Sequence, residues 1–352
     1  MSNRTILALG ADIKNKFLVS KGRGIFFGPE IGDLSDADNY ELFKKETLKL
    51  AKKRKPDTVS YDLHPGYFSS AYAREVFSGS RLQPVQHHHA HIASVMSEHE
   101  LKRPVIGVTF DGTGYGTDGN SWGGEFLKVN TRGFERLAHF KYRMMPGGDA
   151  VVREPWRMAL SILGKKALPF LGDVRKEDIN IALLMMSKGI NSPPTSSAGR
   201  LFDACSALMG ICTYASYEAE GPIKLEALCD EGIEEGYDFS IEKEAGSYII
   251  NTDSIFLGIL SDLKKIKKPS LIATKFHNSM ADVITKTVNK FSKKLSLKDV
   301  VLSGGVFQNT FLKKKTIKKL SGIGVRTYMN EKMSVNDFNI ALGQYYVSCN
   351  TR

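Results

Sequence analysis

A hydrophobic strand followed by an acidic residue occurs twice in this sequence, about 100 residues apart, and this repeat constrains the fold more than any other feature. Asp12 follows the run ALGA and Asp111 follows the run GVTF, and in each place a turn, a second strand and a hairpin come next. A period this long does not suit a solenoid and predicts two related lobes. The chain of 352 residues also exceeds the size at which one hydrophobic core usually divides. We therefore expect an N-terminal lobe over residues 1–103 and a C-terminal lobe over residues 104–352.

The order of the predicted elements indicates α/β lobes with helices on both faces of each sheet. Three short strands open the chain, and the last third alternates helices with strands, which is typical of a mostly parallel sheet. The apolar spacing of residues 150–236 is helical and predicts an inserted group of helices in the second lobe. Outside that insertion, helices are predicted over residues 39–53, 69–78, 87–99, 269–295, 308–320 and 335–347.

Composition excludes several classes of protein. The apolar runs are short and interrupted by charges, so we expect no membrane span, and the N-terminus lacks the long apolar stretch of a signal peptide. The cysteines at Cys205, Cys212, Cys229 and Cys349 form no CxxC pair, which excludes a zinc ribbon and argues against a disulfide framework. A reducing cytoplasm fits this pattern. Cys205 and Cys212 lie seven apart on an apolar helical face, where we expect core residues.

The net charge of +11 permits an acidic or nucleic acid partner. The lysines, however, are spread through runs such as KKLSLK and LKKKTIKKL, which have the spacing of a helix surface. We interpret these runs mainly as a solvated face, so that nucleic acid binding stays possible without being favoured.

The segment VQHHHAHIAS places four histidines in five positions, in a chain that has eight. If this segment is helical, His87 and His91 lie on one face as half of a metal site, and His88 and His89 point elsewhere. A complete site needs carboxylates from distant sequence, and Asp111 and Asp337 are the candidates. The alternative is that the histidines face solvent or cap the helix, and the pattern alone leaves both interpretations open.

Two glycine-rich loops follow predicted strands, one in DGTGYGTDG and one in LSGGVFQN. Glycine lets the backbone approach a ligand, and backbone N–H groups at such positions attract phosphate. Neither loop is a Walker A loop or a GxGxxG fingerprint, and each could be a plain turn. Ligands of open α/β sheets bind at the carboxyl ends of strands, which favours a nucleotide site here. The candidate residues are Gly112, Thr113 and Gly114 in the first loop and Gly304, Gly305 and Asn309 in the second.

Five motifs in order resemble the carboxyl-terminal part of the HypF family. They read VQHHHAHIAS, DGTGYGTDGNSWGGEF, MPGGDAVVREPWRMA, SSAGRLFDACSALMGI and LSGGVFQN, and the similarity extends from LALGADIKN to NDFNIALGQ. HypF is a carbamoyltransferase of [NiFe]-hydrogenase maturation, and this part of it is similar to TsaD enzymes and to O-carbamoyltransferases. The resemblance implies the two-lobed α/β fold of actin, hexokinase and the 70-kDa heat-shock proteins, known as the ASKHA fold, with duplicated mixed sheets and a helical insertion.

The resemblance also implies roles for individual residues. It assigns a divalent metal, iron or zinc, to His87, His91, Asp111 and Asp337. Lys14 and Asp111 face the phosphate region and serve the catalytic step. ATP or carbamoyl-adenylate is the implied nucleotide, and the residues that match its binding segments are Gly304, Gly305 and Asn309 in the loop, Arg200 and Asp203 on the ribose-side helix, and Glu220 in the segment after it.

Whole HypF proteins carry an acylphosphatase-like domain, zinc modules and a YrdC-like domain that have no counterpart in these 352 residues. These residues are therefore either one half of a split system, with a separate YrdC-like partner that makes carbamoyl-adenylate, or a piece of a longer protein. The resemblance also implies a HypE-like protein whose terminal cysteine accepts the carbamoyl group. The stretch YEAEGPIKLE leans toward TsaD, and NDFNIALGQ departs from the HypF pattern. A tRNA adenosine or a small-molecule hydroxyl remains an alternative acceptor, and a nucleotide-binding scaffold without activity is the non-enzymatic alternative.

Overall fold

Two sheets form the centre of the molecule in the computed structural model, which describes residues 4–22, 24–244 and 246–351. The first lobe is built from β1 (Ile6–Ala8), β2 (Asn15–Lys21), β3 (Gly24–Gly32), α1 (Ala37–Arg54), β4 (Thr58–Asp62), α2 (Phe68–Val76), β5 (Arg81–Val85) and α3 (His87–Glu98). Its five strands are arranged in the order β3-β2-β1-β4-β5.

The second lobe follows with a larger sheet. Its first part contains β6 (Val105–Tyr115), β7 (Ser121–Asn130), β8 (Gly133–Phe140), β9 (Arg143–Met144), α4 (Ala150–Arg153), α5 (Trp156–Leu163), α6 (Lys176–Lys188), β10 (Pro194–Thr195), α7 (Ala198–Leu208) and α8 (Glu220–Glu226). Its second part contains β11 (Ser240–Glu244), β12 (Ser247–Asn251), α9 (Asp253–Lys264), α10 (Pro269–Leu295), β13 (Asp299–Ser303), α11 (Thr310–Gly322), β14 (Arg326–Tyr328) and α12 (Ile340–Asn350). Short 3-10 turns lie at Gly164–Phe170, Gly305–Gln308 and Asp337–Asn339.

The two sheets repeat one arrangement of strands. In the first sheet β1 pairs antiparallel with β2 and parallel with β4, and β4 pairs parallel with β5. In the second sheet β6 pairs antiparallel with β7 and parallel with β13, and β13 pairs parallel with β14. The strands β12 and β11 extend the second sheet beyond β8. The duplicated, mixed α/β architecture predicted from the sequence is confirmed, with both sheets mixed and not mostly parallel as the helix–strand alternation alone suggested.

The predicted helices are present, with two shifted starts. The helix predicted over residues 269–295 is α10, whereas α11 and α12 begin at Thr310 and Ile340, each after a short 3-10 turn. Asp337 lies in the turn before the last helix. The side chain of Asn336 accepts from the Phe338 N–H there and so stabilises that turn. Among the described residues, no helix combines the length and the apolar character that crossing a membrane requires.

Helices α3 and α12 lie between the two sheets. The last helix returns to the first lobe, where Ala341 and Leu342 pack with Ala8 and Leu18 of β1 and β2. Helix α3 packs on the second sheet through a separate apolar cluster. The two helices cross closely, because a Cβ built on Gly343 of α12 would lie 1.8 Å from the carbonyl oxygen of Ala90 in α3. The end of the chain therefore connects the two lobes through this crossing.

We predict that Gly343→Ala destabilises the protein by about 1–3 kcal/mol, because the added methyl group forces α3 and α12 apart. The matched control is Gly322→Ala at the end of α11, where a Cβ meets no atom within 4 Å. That change should be neutral or stabilising by up to about 1 kcal/mol, since alanine is the better helix former. Urea unfolding followed by circular dichroism measures both, and equal free energies of unfolding for the two variants would contradict the close crossing.

Candidate functional site

Four side chains from three parts of the chain, three of them buried and that of Asp337 partly exposed, meet between the lobes. His87 and His91 lie one helical turn apart at the start of α3, Asp111 lies in β6, and Asp337 lies in the turn before α12. The Nε2 atom of His91 is 3.1 Å from Asp111 Oδ2 and 3.5 Å from Asp337 Oδ1. One potential ligand atom from each of the four residues lies within 4.8 Å of the others. The four residues predicted as metal ligands therefore face a common point.

Neighbouring groups orient the two histidines. Asp62 Oδ2 lies 2.7 Å from His87 Nδ1, so that Nε2 of the same ring faces the other ligands. The hydroxyl of Ser303 lies 3.4 Å from His91 Nδ1 and orients that ring in the same way. This is the usual arrangement around metal-binding histidines. Sequence reasoning missed Asp62, although it ends the buried strand TVSYD and precedes the HPGY loop.

The ligand set fits a divalent cation. His87 Nε2 is buried and has no hydrogen-bond partner, and such an atom is costly unless something binds it. Two imidazole nitrogens and two carboxylates match the donors preferred by zinc and iron. Asp111 is held for this role by its other oxygen, since Oδ1 accepts the N–H of Gly112 at 2.8 Å and that of Gly305 at 3.1 Å. His87, His91, Asp111 and Asp337 are thus the residues that would hold the ion.

The charges in this group shift one another's pKa values. Burial lowers the pKa of His87, but the carboxylates of Asp337 and Asp62 outweigh it and hold that pKa well above its usual value. Burial raises the pKa of Asp337, but the nearby charge of His87 lowers that pKa to about 2. The pKa of His91 is also raised, because its hydrogen bonds to Asp111 and Asp337 oppose the effect of burial. Without an ion, the negative charges of the two carboxylates are therefore balanced by the positive charge of protonated imidazole.

The other two histidines of the cluster are core residues. Burial lowers the pKa of His88 to about 3 and that of His89 to about 4, so both rings are neutral. His88 stacks near Trp122, and His89 packs against Phe134. The expectation that both point away from the ligands holds, and the alternative of a solvent-facing cluster is wrong, because all four rings are buried.

A cavity of about 370 Å³ opens beside the four ligands. Its lining includes these predicted site residues: Lys14, Asp111, Gly112, Thr113, Arg200, Gly305, Asn309 and Asp337. Sequence reasoning missed an apolar part of the wall, formed by Phe202, Pro222, Ile223 and Val306. These residues have no chemical signature in the sequence, and only the packing of α7 and α8 against the loop places them here.

Two predicted nucleotide-binding glycines shape the backbone and do not line the cavity. A Cβ on Gly114 would lie 2.5 Å from the His88 ring, so this glycine makes room for α3. Gly304 has a φ of 103°, a left-handed value that favours glycine. A Cβ on Gly304 would also lie 2.4 Å from the Phe110 carbonyl oxygen. Both glycines are needed for close packing at the ends of strands.

Two predicted nucleotide-binding acids also lie outside the cavity lining. Asp203 forms a buried ion pair with Arg200, at 2.7 Å, and burial raises the pKa of Asp203 to about 6 despite that partner. Glu220 accepts hydrogen bonds from Lys224 and from Ser216, which lower its pKa to about 2. Of this predicted set only Arg200 lines the cavity, and Asp203 contacts the cavity wall through it.

The N-terminus of α11 is not the open anion site that the loop LSGGVFQN suggested. Glu226 Oε1 accepts the N–H groups of Thr310 and Phe311, at 2.7 and 3.0 Å. Asn309 Oδ1 accepts the next one, from Leu312, at 2.8 Å. Glu226 lies in α8, far from α11 in the sequence, so the residues of the loop alone could not predict that Glu226 caps this helix. A carboxylate already satisfies the positive end of this helix.

Lys14 lies at the mouth of the cavity. It belongs to the first hairpin, has a φ of 50°, and pairs at 2.6 Å with Glu218, which lies in the loop before α8. Because Glu218 is largely exposed, this pair is weak, and an anionic ligand in the cavity can compete for the ammonium group.

Comparison with known proteins identifies the chain's relatives. A family model described as the HypF Kae1-like domain matches residues 1–98. A second model, described as the second subdomain of the Kae1-like domain of the carbamoyltransferase, matches residues 107–344. The carbamoyltransferase HypF homolog of Cupriavidus necator is 32% identical to this chain, over 97% of this chain and 91% of the relative.

Longer relatives match over part of their length. Carbamoyltransferase HypF of Synechocystis is 31% identical over 100% of this chain and 48% of its own length. A solved structure of full-length HypF in the phosphate- and nucleotide-bound form is 38% identical, with a TM-score of 0.94, over 98% of this chain and 46% of that one. The chain thus spans about half the length of these two HypF proteins.

Replacing both His87 and His91 by alanine should reduce the metal content of the purified protein to background, because half of the ligand set is lost. The control is His89→Gln on the same helix, whose side chain packs against Phe134 and should leave the metal in place. Elemental analysis by mass spectrometry measures the metal, and circular dichroism checks the fold. Equal metal content in the double variant and the wild type would refute the assignment.

Binding of the ion should release protons, and the affinity should rise with pH. The carboxylates raise the pKa values of both imidazoles in the ion-free protein, whereas a cation binds only the neutral ring. Calorimetric titration with Zn²⁺ in two buffers of different ionisation enthalpy measures the protons released. A binding enthalpy that is the same in both buffers would show that no proton is displaced.

Proposed function

Because this chain belongs to the HypF family of carbamoyltransferases, we propose that its central cleft transfers a carbamoyl group from carbamoyl-adenylate to an acceptor thiol on another protein. The observation that carries the proposal is the position of the cavity. It lies beside His87, His91, Asp111 and Asp337, so one molecule can contact the ligand group and the two glycine loops together.

The cavity suits an adenylate in both size and lining. Its volume of about 370 Å³ lies within the usual range for small-molecule sites. Phe202, Pro222 and Ile223 provide an apolar wall for a base, beside the Gly304–Gly305 loop. Asn309 also lines the cavity and adds a polar amide. The solved HypF that contains phosphate and nucleotide supports this assignment by similarity.

The phosphate end of the donor would lie toward the ligand group. His87, His91, Asp111 and Asp337 would hold an iron or zinc ion there. When bound, such an ion supplies Lewis-acid polarisation of an oxygen of the substrate. Lys14, released from Glu218, would neutralise charge on the leaving AMP, and its place at the cavity mouth allows this.

The nucleophile comes from outside the chain, because the cysteines of the chain are poor candidates. Burial raises the pKa of Cys205 well above its usual value and that of Cys229 to about 12. Burial also raises the pKa of Cys212 and of Cys349, so none of the four is an activated thiolate. Cys205 and Cys212 are buried, as expected of core residues.

The reaction that follows is an acyl transfer. The acceptor thiolate attacks the carbonyl carbon of carbamoyl-adenylate, a carbon–sulfur bond forms, and the carbon–oxygen bond to the phosphate breaks. AMP leaves with the bonding electrons, and the proton of the acceptor thiol is lost to solvent. We propose a HypE-like protein with a terminal cysteine as the acceptor and a YrdC-like protein as the source of the donor.

A reconstituted assay tests this function. The chain, a YrdC-like protein, carbamoyl phosphate, ATP and a HypE-like protein should together release AMP and add one carbamoyl group to the terminal cysteine, as seen by intact-protein mass spectrometry. An acceptor with that cysteine changed to alanine is the control. Transfer only to a tRNA or to a small-molecule hydroxyl would replace the thiol acceptor, and the absence of transfer to any acceptor would overturn the proposal.

Lys14 offers a sharper variant in the same assay. Lys14→Met should slow transfer by roughly 100-fold, the usual effect of losing one group that stabilises a developing charge. Lys16→Met is the matched control, because Lys16 lies on β2 and pairs with Glu30, away from the cavity lining. Equal rates for the two variants would remove Lys14 from the mechanism.

A further inference from the structure

His277 is a buried histidine outside both the ligand group and the cavity lining, yet it contacts the cavity wall. It lies in the middle of α10 and is 0% exposed. Its Nε2 atom is 2.9 Å from the amide nitrogen of Asn309, and Asn309 lines the cavity. Nothing in the motif that contains it, TKFHNSMADVI, identifies this contact, because the two residues are 32 positions apart.

The hydrogen bonds determine which nitrogen of His277 carries the proton. Nδ1 is 2.8 Å from the carbonyl oxygen of Ala273, a group that can only accept, so Nδ1 carries the hydrogen. Burial lowers the pKa of His277 to about 4, so the ring is neutral and Nε2 has a free lone pair. Nε2 therefore accepts an N–H from the Asn309 amide.

The amide of Asn309 has one consistent orientation. Its Oδ1 accepts the backbone N–H of Leu312 at 2.8 Å, which leaves the amide nitrogen facing His277. Rotating the amide by half a turn would set its NH₂ group against the Leu312 N–H and its oxygen against the His277 lone pair. Both contacts would then be repulsive, so Ala273, His277, Asn309 and Leu312 form one directed chain of hydrogen bonds.

A second contact competes for Nδ1 of His277, and it is consistent with the same directions of the hydrogen bonds. Cys229 Sγ lies 3.2 Å from His277 Nδ1. If this thiol donated a hydrogen bond to Nδ1, the ring hydrogen would have to lie on Nε2. That Nε2–H would face the NH₂ group of Asn309, so that two donors would oppose each other. Aromatic rings surround the remaining edge of the imidazole, with Phe202 at 5.2 Å and Phe311 at 5.6 Å between ring centroids.

We propose that His277 is a positioning residue of the nucleotide site, which fixes the Asn309 amide so that one N–H and one oxygen lone pair remain for the bound adenylate. Among the described residues, no side-chain hydrogen bond occupies the second amide N–H or the second Oδ1 lone pair of Asn309. The inference rests on the proposed function, because it assigns Asn309 to the adenylate. His277 itself does not touch the donor.

A double-mutant cycle on ATP binding tests the inference, with affinities measured by calorimetry. Asn309→Ala and His277→Phe should each weaken ATP binding about tenfold, since the second change removes the acceptor and keeps the ring. If His277 acts only through Asn309, the double variant should bind ATP no more weakly than Asn309→Ala alone. A further loss in the double variant, to about 100-fold, would show independent effects and overturn the inference.

Two further variants separate positioning from general stability. His277→Gln places an amide oxygen near the position of Nε2 and should restore most of the affinity. Cys229→Ala removes a neighbour of the other ring nitrogen and should leave ATP binding unchanged. In the transfer assay, His277→Phe should raise the KM for the donor, with kcat and metal content unchanged. Equal weakening of binding by His277→Phe and His277→Gln would assign the residue a packing role only.

A direct measurement covers the case in which His277→Phe fails to fold. Nitrogen-15 NMR of the wild-type protein distinguishes the two neutral tautomers of His277, and the proposal requires the hydrogen on Nδ1. A hydrogen on Nε2 would overturn it. A wild type that binds no ATP would overturn the proposed function together with this inference, whereas normal ATP binding by both His277→Phe and Asn309→Ala would overturn this inference alone.

Discussion

The close crossing of α3 and α12 is the constraint on which the site depends. Gly343 permits the backbone of α12 to approach Ala90 of α3. His87 and His91 lie on α3, and Asp337 lies in the turn that leads into α12. A larger separation of the helices would move the carboxylate of Asp337 away from the imidazoles. The ligand group is therefore a consequence of helix packing between the lobes, and the stability of that packing and the geometry of the site are coupled.

Burying the charged groups of this site costs solvation free energy, and the structure offsets that cost by giving the groups hydrogen-bonding and charged partners. Carboxylates and imidazoles removed from water lose several kcal/mol of solvation each unless partners compensate for it. Asp62 compensates for His87, and the N–H groups of Gly112 and Gly305 compensate for one oxygen of Asp111. Gly112 lies in β6 and Gly305 in the turn after β13, so the contact from Gly305 both stabilises the charge of Asp111 and ties that turn to β6.

The two halves of the duplication use their equivalent acids differently. Asp12, which follows the first strand, accepts the backbone N–H groups of Phe68 and Ser69 and the Ser69 hydroxyl, and so caps α2. Asp111, which lies within the corresponding strand of the second sheet, faces His87 and His91. A shared fold thus leaves one acid in a structural role and places the other beside the buried histidines.

The sequence by itself determined the duplicated α/β lobes and the helical insertion, and it predicted His87, His91, Asp111 and Asp337 as metal ligands. Strand and helix periodicities are local properties, and the histidine spacing is set by one helical turn. The motifs that resemble the HypF family supplied the carboxylates, since spacing alone left them as candidates.

Only the tertiary structure decided which polar groups are already satisfied and which remain for a ligand. Glu226 caps α11 from a distant helix, Gly114 and Gly304 serve packing, and His277 orients Asn309. Each of these outcomes depends on a contact between segments far apart in sequence. Their geometry is set when the helices pack on the sheets, and no local pattern of residues encodes it.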